Sequence, residues 1–183
     1  MAARAIPAPL RVLPNALTIG RLVLVPVFIV LLARADGGKS WPAAIVFAIA
    51  GVTDQIDGWL ARRWHAESDF GRIADPLADR LMIDAAVVLL VLDDRLPWLA
   101  LAVIVARDAL LIGGYRLVMP RGYELSVNLL GKVATWLLYA SLALLMVTPK
   151  STDWPLWLFW AGLACAVLAG AAYVGSAWKV VRT

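Results

Sequence analysis

Three features of the sequence predict an all-α, polytopic integral membrane protein with six transmembrane helices, forming one domain over residues 1–183. Apolar residues make up 62% of the chain and charged residues 16%, with a mean hydropathy of +0.80; a soluble domain is about half apolar and about a quarter charged. Apolar runs of about 20 residues, long enough at roughly 1.5 Å per residue to cross the hydrocarbon of a bilayer, recur along the chain. Each break between them carries Gly, Pro or a charge cluster, the residues that end helices. The low charge content argues against a disordered or nucleic-acid-binding chain, despite a net charge of +4. The nine tryptophans suit the interface between acyl chains and headgroups.

The first span is placed at Asn15 to Ala33. Arg4 and Arg11 precede it, but no convincing small-residue cleavage site follows, so it reads as a retained span rather than a signal peptide. Asp36-Gly37-Gly38 separates it from Trp41 to Arg63, and Ser68 to Gly71 separates that span from Ile73 to Leu92. Asp93-Asp94-Arg95 leads into Pro97 to Met119, Pro120-Arg121-Gly122 into Leu125 to Thr148, and Pro149 to Asp153 into Trp154 to Trp178. An even number of spans puts both termini on one side. The tails and the second and fourth connections hold Arg4, Arg11, Arg62, Arg63, Arg72, Arg116, Arg121, Lys179 and Arg182, against Arg34, Lys39, Arg95 and Lys150 on the other face. Both termini are therefore expected in the cytoplasm. Cys165 is the single cysteine, which excludes an intramolecular disulfide and a thiolate metal site.

The spans themselves contain Arg21, Asp54, Asp57, Asp75, Asp79, Arg80, Asp84, Arg107, Asp108 and Lys132. A charge at the centre of a membrane helix costs roughly 2.5 to 3.5 kcal/mol on an insertion scale, so these groups must pair, bind metal or face water. Counted from the cytoplasmic ends, Arg21, Asp57, Asp79 and Lys132 lie about two helical turns deep, and Asp54 and Arg107 about one turn deeper. The sequence thus predicts a shared polar site open to the cytosol.

At its centre the chain reads Asp54-x-x-Asp57-Gly58-x-x-Ala61-Arg62, then eight residues, then Gly71-x-x-x-Asp75-x-x-x-Asp79. Spacings of three, four, seven and eight keep the first set on one helix face, and steps of four do the same for the second. Four carboxylates brought together cannot all stay ionised without a counter-charge. An all-oxygen donor set selects a hard divalent cation, Mg²⁺ or Mn²⁺. Gly58, Ala61 and Gly71 leave room for a ligand against the backbone, and Arg62 is suited to clamp a phosphate. A plainer reading makes the aspartates an ion-pair network with Arg21, Arg62, Arg80, Arg107 and Lys132, but pairing alone does not call for small residues at those positions.

The pattern D-x2-D-G-x2-A-R-x8-G-x3-D-x3-D resembles the signature of the CDP-alcohol phosphatidyltransferase family, and all eight of its fixed positions are met. The resemblance implies six transmembrane helices with the motif across the second and third. It implies transfer of a phosphatidyl group from CDP-diacylglycerol to an alcohol, with release of CMP. By the same resemblance Asp54, Asp57, Asp75 and Asp79 would ligate one or two metal ions, and Gly58, Ala61, Arg62 and Gly71 would hold the CMP moiety. Asp79 would be the base that takes the acceptor's proton. No covalent nucleophile is evident, since Ser68, Ser126 and Ser141 have no histidine partner and His65 falls in the cytosolic turn.

Members of the family that use glycerol 3-phosphate tend to carry an Arg-Glu pair in the fourth span, a second Arg eight residues later, and Gly-Lys-x-Lys-Thr in the fifth. Here Arg107-Asp108 is followed by Arg116 nine residues on, and the fifth span reads Gly131-Lys132-Val133-Ala134-Thr135. At about 100° per residue, nine positions put the two arginines on opposite faces. These segments instead resemble the family's CMP-forming cardiolipin synthases, which implies phosphatidylglycerol as acceptor, with glycerol 3-phosphate the alternative. Arg21, Arg107 and Lys132 are the residues expected to bind acceptor or lipid phosphate. Arg80 is balanced between a neighbouring helix and substrate, and Asp84, about 140° round the helix from Asp79, reads as an ion pair or a water-lined edge. Ala161, Gly162, Ala166, Gly170 and Gly175 read as helix-packing positions that could form a homodimer face. The rival from another class is a cation-binding membrane transporter, against which stand the off-centre site and the lack of repeated halves.

Overall fold

The computed structural model describes the backbone of residues 8–64, 69–118 and 129–182, and the side chains of residues 19–53, 80–110, 129–172 and 175. Six α-helices account for most of the described residues: α1 (Ala8–Ala33), α2 (Trp41–Trp64), α3 (Asp69–Leu92), α4 (Trp98–Val118), α5 (Leu129–Val147) and α6 (Trp154–Arg182). No strand occurs among the described residues.

Three boundaries differ from expectation by four residues or more, one of them the end of the sixth helix, which runs to Arg182 rather than Trp178. The third helix begins at Asp69 rather than Ile73, so Gly71 is helical and not part of a break; an acidic residue opening a helix suits the partial positive charge of its N-terminus. The first helix begins at Ala8 and runs through Pro14 and Pro26, as membrane helices tolerate. The expected start of the fifth span at Leu125 lies outside the described residues.

Two helical stretches, Leu129–Val147 and Trp154–Ala172, are long and apolar enough to cross a bilayer, and Ile19–Ala33 and Trp41–Thr53 are shorter apolar stretches. Side-chain burial has the pattern of a protein in lipid. On α1, Arg21, Val25, Phe28 and Leu32 are buried at helical spacing, while Val23, Val27 and Val30 on the other faces are exposed. A helix that is apolar all round belongs in a core or a membrane, not at a water-facing surface.

The helices pack as a ring in the order α1, α2, α5, α6, α4, α3, closed by contact between α3 and α1, with α5 and α6 forming the most extensive pair. Small residues permit the close approaches. A Cβ on Gly162 would lie 2.9 Å from Leu137 Cβ and 3.1 Å from the Leu138 backbone nitrogen. Gly162 is thus a packing position, and the helix it admits is α5 of the same chain. Gly51 on α2 lies against the Tyr139 ring, 2.7 Å from a would-be Cβ. That ring stacks at 4.9 Å on Phe47, which lies 5.3 Å from Phe28, joining α5, α2 and α1.

The connections α1–α2, α3–α4 and α5–α6 meet at one end and are tied together there. Ser40 N–H donates to the Met146 carbonyl (2.7 Å), Arg95 Nη2 to the Thr148 carbonyl (2.7 Å) and Lys150 Nζ to the Asp93 carbonyl (2.7 Å). Ser40 also starts α2, its Oγ accepting from Ala43 N–H at 3.2 Å. At the end of α3, Arg95 N–H bonds to Leu90 O (2.8 Å) and Asp94 N–H to Val91 O (3.1 Å). Asp94 adopts φ 53°, so the helix closes in a Schellman motif with aspartate where glycine is usual.

Candidate functional site

The eight motif residues all lie on helical backbone: Asp54, Asp57, Gly58, Ala61 and Arg62 in the second half of α2, and Gly71, Asp75 and Asp79 in the first half of α3. These two helices are in contact. The expected spacing is therefore realised by two neighbouring helices joined through residues 65–68. The side chains of all eight lie outside the described residues, as does that of Arg116. Among the described residues no group of three His, Cys, Asp or Glu could hold a metal ion.

Beside this helix pair, α3, α4, α5 and α6 line an open pocket of about 190 Å³ with both charged and apolar walls. Arg80 and Asp84 reach it from α3, Arg107 and Asp108 from α4 and Thr135 from α5, and Ile104, Leu138, Leu163 and Ala166 supply apolar wall. Arg107 Nη1 donates to Asp108 Oδ1 at 2.7 Å, a short, charge-assisted bond. Arg80 Nη1 approaches the same oxygen from the neighbouring helix at 3.9 Å. Asp108 therefore gathers two guanidinium groups, yet Arg107 Nε remains buried with no hydrogen-bond acceptor among the described residues. A buried donor in that state is costly unless a ligand or water takes it. Thr135 Oγ1 is turned back on its own helix, bonding to Gly131 O at 3.1 Å.

Arg21 is 1% exposed and heads the largest fully buried side chains. It lies on the inward face of α1, in line with Val25, Phe28 and Leu32. Lys132 is exposed on the first turn of α5, and Thr135, one turn further on, lines the cavity in its place. Asp84 lies at the cavity edge, in agreement with its reading as a water-lined or paired position, and Arg80 reaches toward α4. The role of Asp108 as the organiser of both arginines was not read from sequence. Its signal was present, since Arg80 and Asp84 are four residues apart on one face and Asp108 adjoins Arg107.

A second, apolar groove of about 140 Å³ opens between α2 and α5, along Ala48, Gly51, Val52, Trp136, Tyr139 and Ala140. Val52 lies two residues before Asp54, so the groove runs up to the motif.

Comparison with known proteins agrees with the motif. The CDP-alcohol phosphatidyltransferase profile matches residues 11–168. The CDP-diacylglycerol–glycerol-3-phosphate 3-phosphatidyltransferase of Bacillus subtilis is 34% identical over 192 aligned residues, covering 93% of this chain and 97% of its own length. The CMP-forming cardiolipin synthase of Streptomyces coelicolor is 41% identical over 145 residues, covering 76% of this chain and 66% of its own. The CDP-diacylglycerol–glycerol-3-phosphate 3-phosphatidyltransferase of Escherichia coli K12 is 30% identical over 174 residues, 93% of this chain and 91% of its own. With the motif set on two adjoining helices and the profile matched over most of its length, this chain belongs to the CDP-alcohol phosphatidyltransferase family and is an enzyme of phospholipid synthesis.

Proposed function

We propose that this enzyme transfers the phosphatidyl group of CDP-diacylglycerol to a glycerol hydroxyl of phosphatidylglycerol, releasing CMP. The observation that carries the acceptor is the charged pocket, where Asp108 already neutralises part of the charge of Arg107 and Arg80 and one N–H donor, Arg107 Nε, has no acceptor among the described residues. That suits a phosphodiester with a single negative charge. The 41% identity to a CMP-forming cardiolipin synthase supports the same reading. Glycerol 3-phosphate is the second reading, favoured by two relatives named for that acceptor whose matches each cover 93% of this chain.

The donor set of Asp54, Asp57, Asp75 and Asp79, at three- and four-residue steps on two helices in contact, has the chemistry to hold Mg²⁺ or Mn²⁺. A bound divalent ion would neutralise the pyrophosphate and polarise the phosphorus under attack. Gly58, Ala61 and Gly71 leave the helix backbones open to the CMP moiety, and Arg62 clamps its phosphate. Asp79 accepts the proton of the acceptor hydroxyl. The hydroxyl oxygen bonds to the phosphatidyl phosphorus, the bond from that phosphorus to the bridging oxygen breaks, and CMP leaves with the bridging oxygen and its electron pair. Arg21, Arg107 and Lys132 bind acceptor or lipid phosphate, and the apolar groove between α2 and α5 offers an acyl chain a surface beginning near Asp54.

This chemistry is read as taking place in one membrane domain of six spans in the cell membrane. Both termini and the active site face the cytoplasm, where CMP can leave while the acyl chains stay in lipid. A homodimer through the outer face of α6 fits the same arrangement. The test is an acceptor competition: purified protein in detergent with CDP-diacylglycerol, Mg²⁺ or Mn²⁺, and phosphatidylglycerol and glycerol 3-phosphate supplied together. Cardiolipin is the expected main product, and predominant phosphatidylglycerophosphate would overturn the acceptor assignment.

A further inference from the structure

Among the described residues, the pocket between α3, α4, α5 and α6 is lined by four ionisable side chains whose formal charges sum to zero, Arg80 and Arg107 against Asp84 and Asp108. Asp108 makes the 2.7 Å bond to Arg107 and draws Arg80 to 3.9 Å. Asp84, one turn beyond Arg80 on α3, takes part in neither ion pair and adds a second carboxylate to the same wall. Two arginines alone would make this a pocket for a doubly charged phosphate. Asp84, outside both ion pairs, changes that.

We propose that Asp84 selects the acceptor by charge, admitting a phosphate with one negative charge and disfavouring one with two. The inference rests on the reading of this cavity as the acceptor's phosphate pocket. A phosphodiester brings one charge into a balanced space and can take the donor left open at Arg107 Nε. A phosphate monoester, with its second pKa near 6, is close to a dianion at neutral pH. Its second charge would face the Asp84 carboxylate in the same pocket, and like charges held close together repel.

Asp84→Asn tests this directly, because it keeps the side chain's shape, removes one charge and breaks neither ion pair. The quantity to measure is kcat/KM for glycerol 3-phosphate divided by kcat/KM for phosphatidylglycerol. That ratio should rise about tenfold in Asp84→Asn and return to the wild-type value in Asp84→Glu. A purely structural role would lower both activities together, so an unchanged or lower ratio overturns the proposal. If Asp84→Asn lacks turnover, thermal stabilisation by glycerol 3-phosphate in detergent decides: a larger shift than in wild type supports charge selection, and an equal or smaller one overturns it. Wild type preferring glycerol 3-phosphate would overturn the choice of acceptor, yet the response of the ratio to Asp84→Asn would still decide charge selection.

Discussion

At the end of the bundle where α1 joins α2, α3 joins α4 and α5 joins α6, Arg95 and Lys150 each terminate on a backbone carbonyl. In the cavity between α3 and α6, Arg80 and Arg107 are instead gathered on one carboxylate. Both carbonyls at the joined end, Thr148 and Asp93, lie just past the last turns of α5 and α3, where helix geometry leaves acceptors without a partner inside the helix. A cation placed there completes a hydrogen-bond pattern and favourably meets the negative end of the helix dipole. It has then done its work. In the cavity, pairing neutralises charge without exhausting the donors, because a guanidinium has five N–H bonds and Arg107 Nε meets no acceptor among the described residues. The same residue type therefore closes the structure at one place and holds it ready for a ligand at another.

The sharpest way to break this comparison is at the motif. Asp79→Asn should lower the rate of CMP release from CDP-diacylglycerol by roughly 100-fold or more, the usual contribution of a positioned general base, while leaving thermal unfolding in detergent close to wild type. Full rate in this variant would remove Asp79 from the chemistry. Arg95→Ala should do the opposite. Arg95 is 8% exposed and its bond to Thr148 O is charge-assisted, so its loss should cost about 2 kcal/mol of stability, read as an earlier unfolding midpoint. The ratio of acceptor efficiencies should not move. A changed ratio would mean that the joined end and the cavity are coupled, and the division drawn here would fail.

How much of this was legible follows from what each feature needs. The six helices need only apolar runs and their punctuation, and both are local. The motif needs two helix faces, and its spacing supplies them, which is why its residues could be named before any packing was known. Arg21 was readable for the same reason, being a charge on a span otherwise apolar. The partner of each helix was not local. Gly162 announced a close approach, but nothing along α6 says that α5 is the helix admitted. Asp84 lay about 140° from Asp79, which on an isolated helix suggests opposite roles; α3 packs against α1 and also against α4, and Asp84 meets the pocket that α4 helps to line. Asp108 adjoins Arg107 on a helix, where neighbours point about 100° apart, and only the reach of the guanidinium brings them together. The break at Asp93-Asp94-Arg95 was plain as composition, whereas the left-handed residue within it was not.

That left-handed residue supports the smallest of the expected effects and the one most specific to the joined end. Asp94 holds φ 53°, a region in which a Cβ is strained and which aspartate tolerates better than most residues. Its conformation lets Arg95 N–H and Asp94 N–H fold back on Leu90 and Val91, and it also turns the chain so that Arg95 reaches Thr148. Glycine at this position removes the strain and gains flexibility in the unfolded chain, two effects of opposite sign. The balance should favour the folded state by under about 1 kcal/mol, a rise of a few degrees at most in the unfolding midpoint. Asp94→Val, which keeps the Cβ and adds a branch, should lower the midpoint by more than Asp94→Gly raises it. Neither should alter the acceptor ratio. If Asp94→Gly instead destabilises the protein, the aspartate side chain itself is holding the junction, and the tie at this end is made by more than the carbonyl bonds of Arg95 and Lys150.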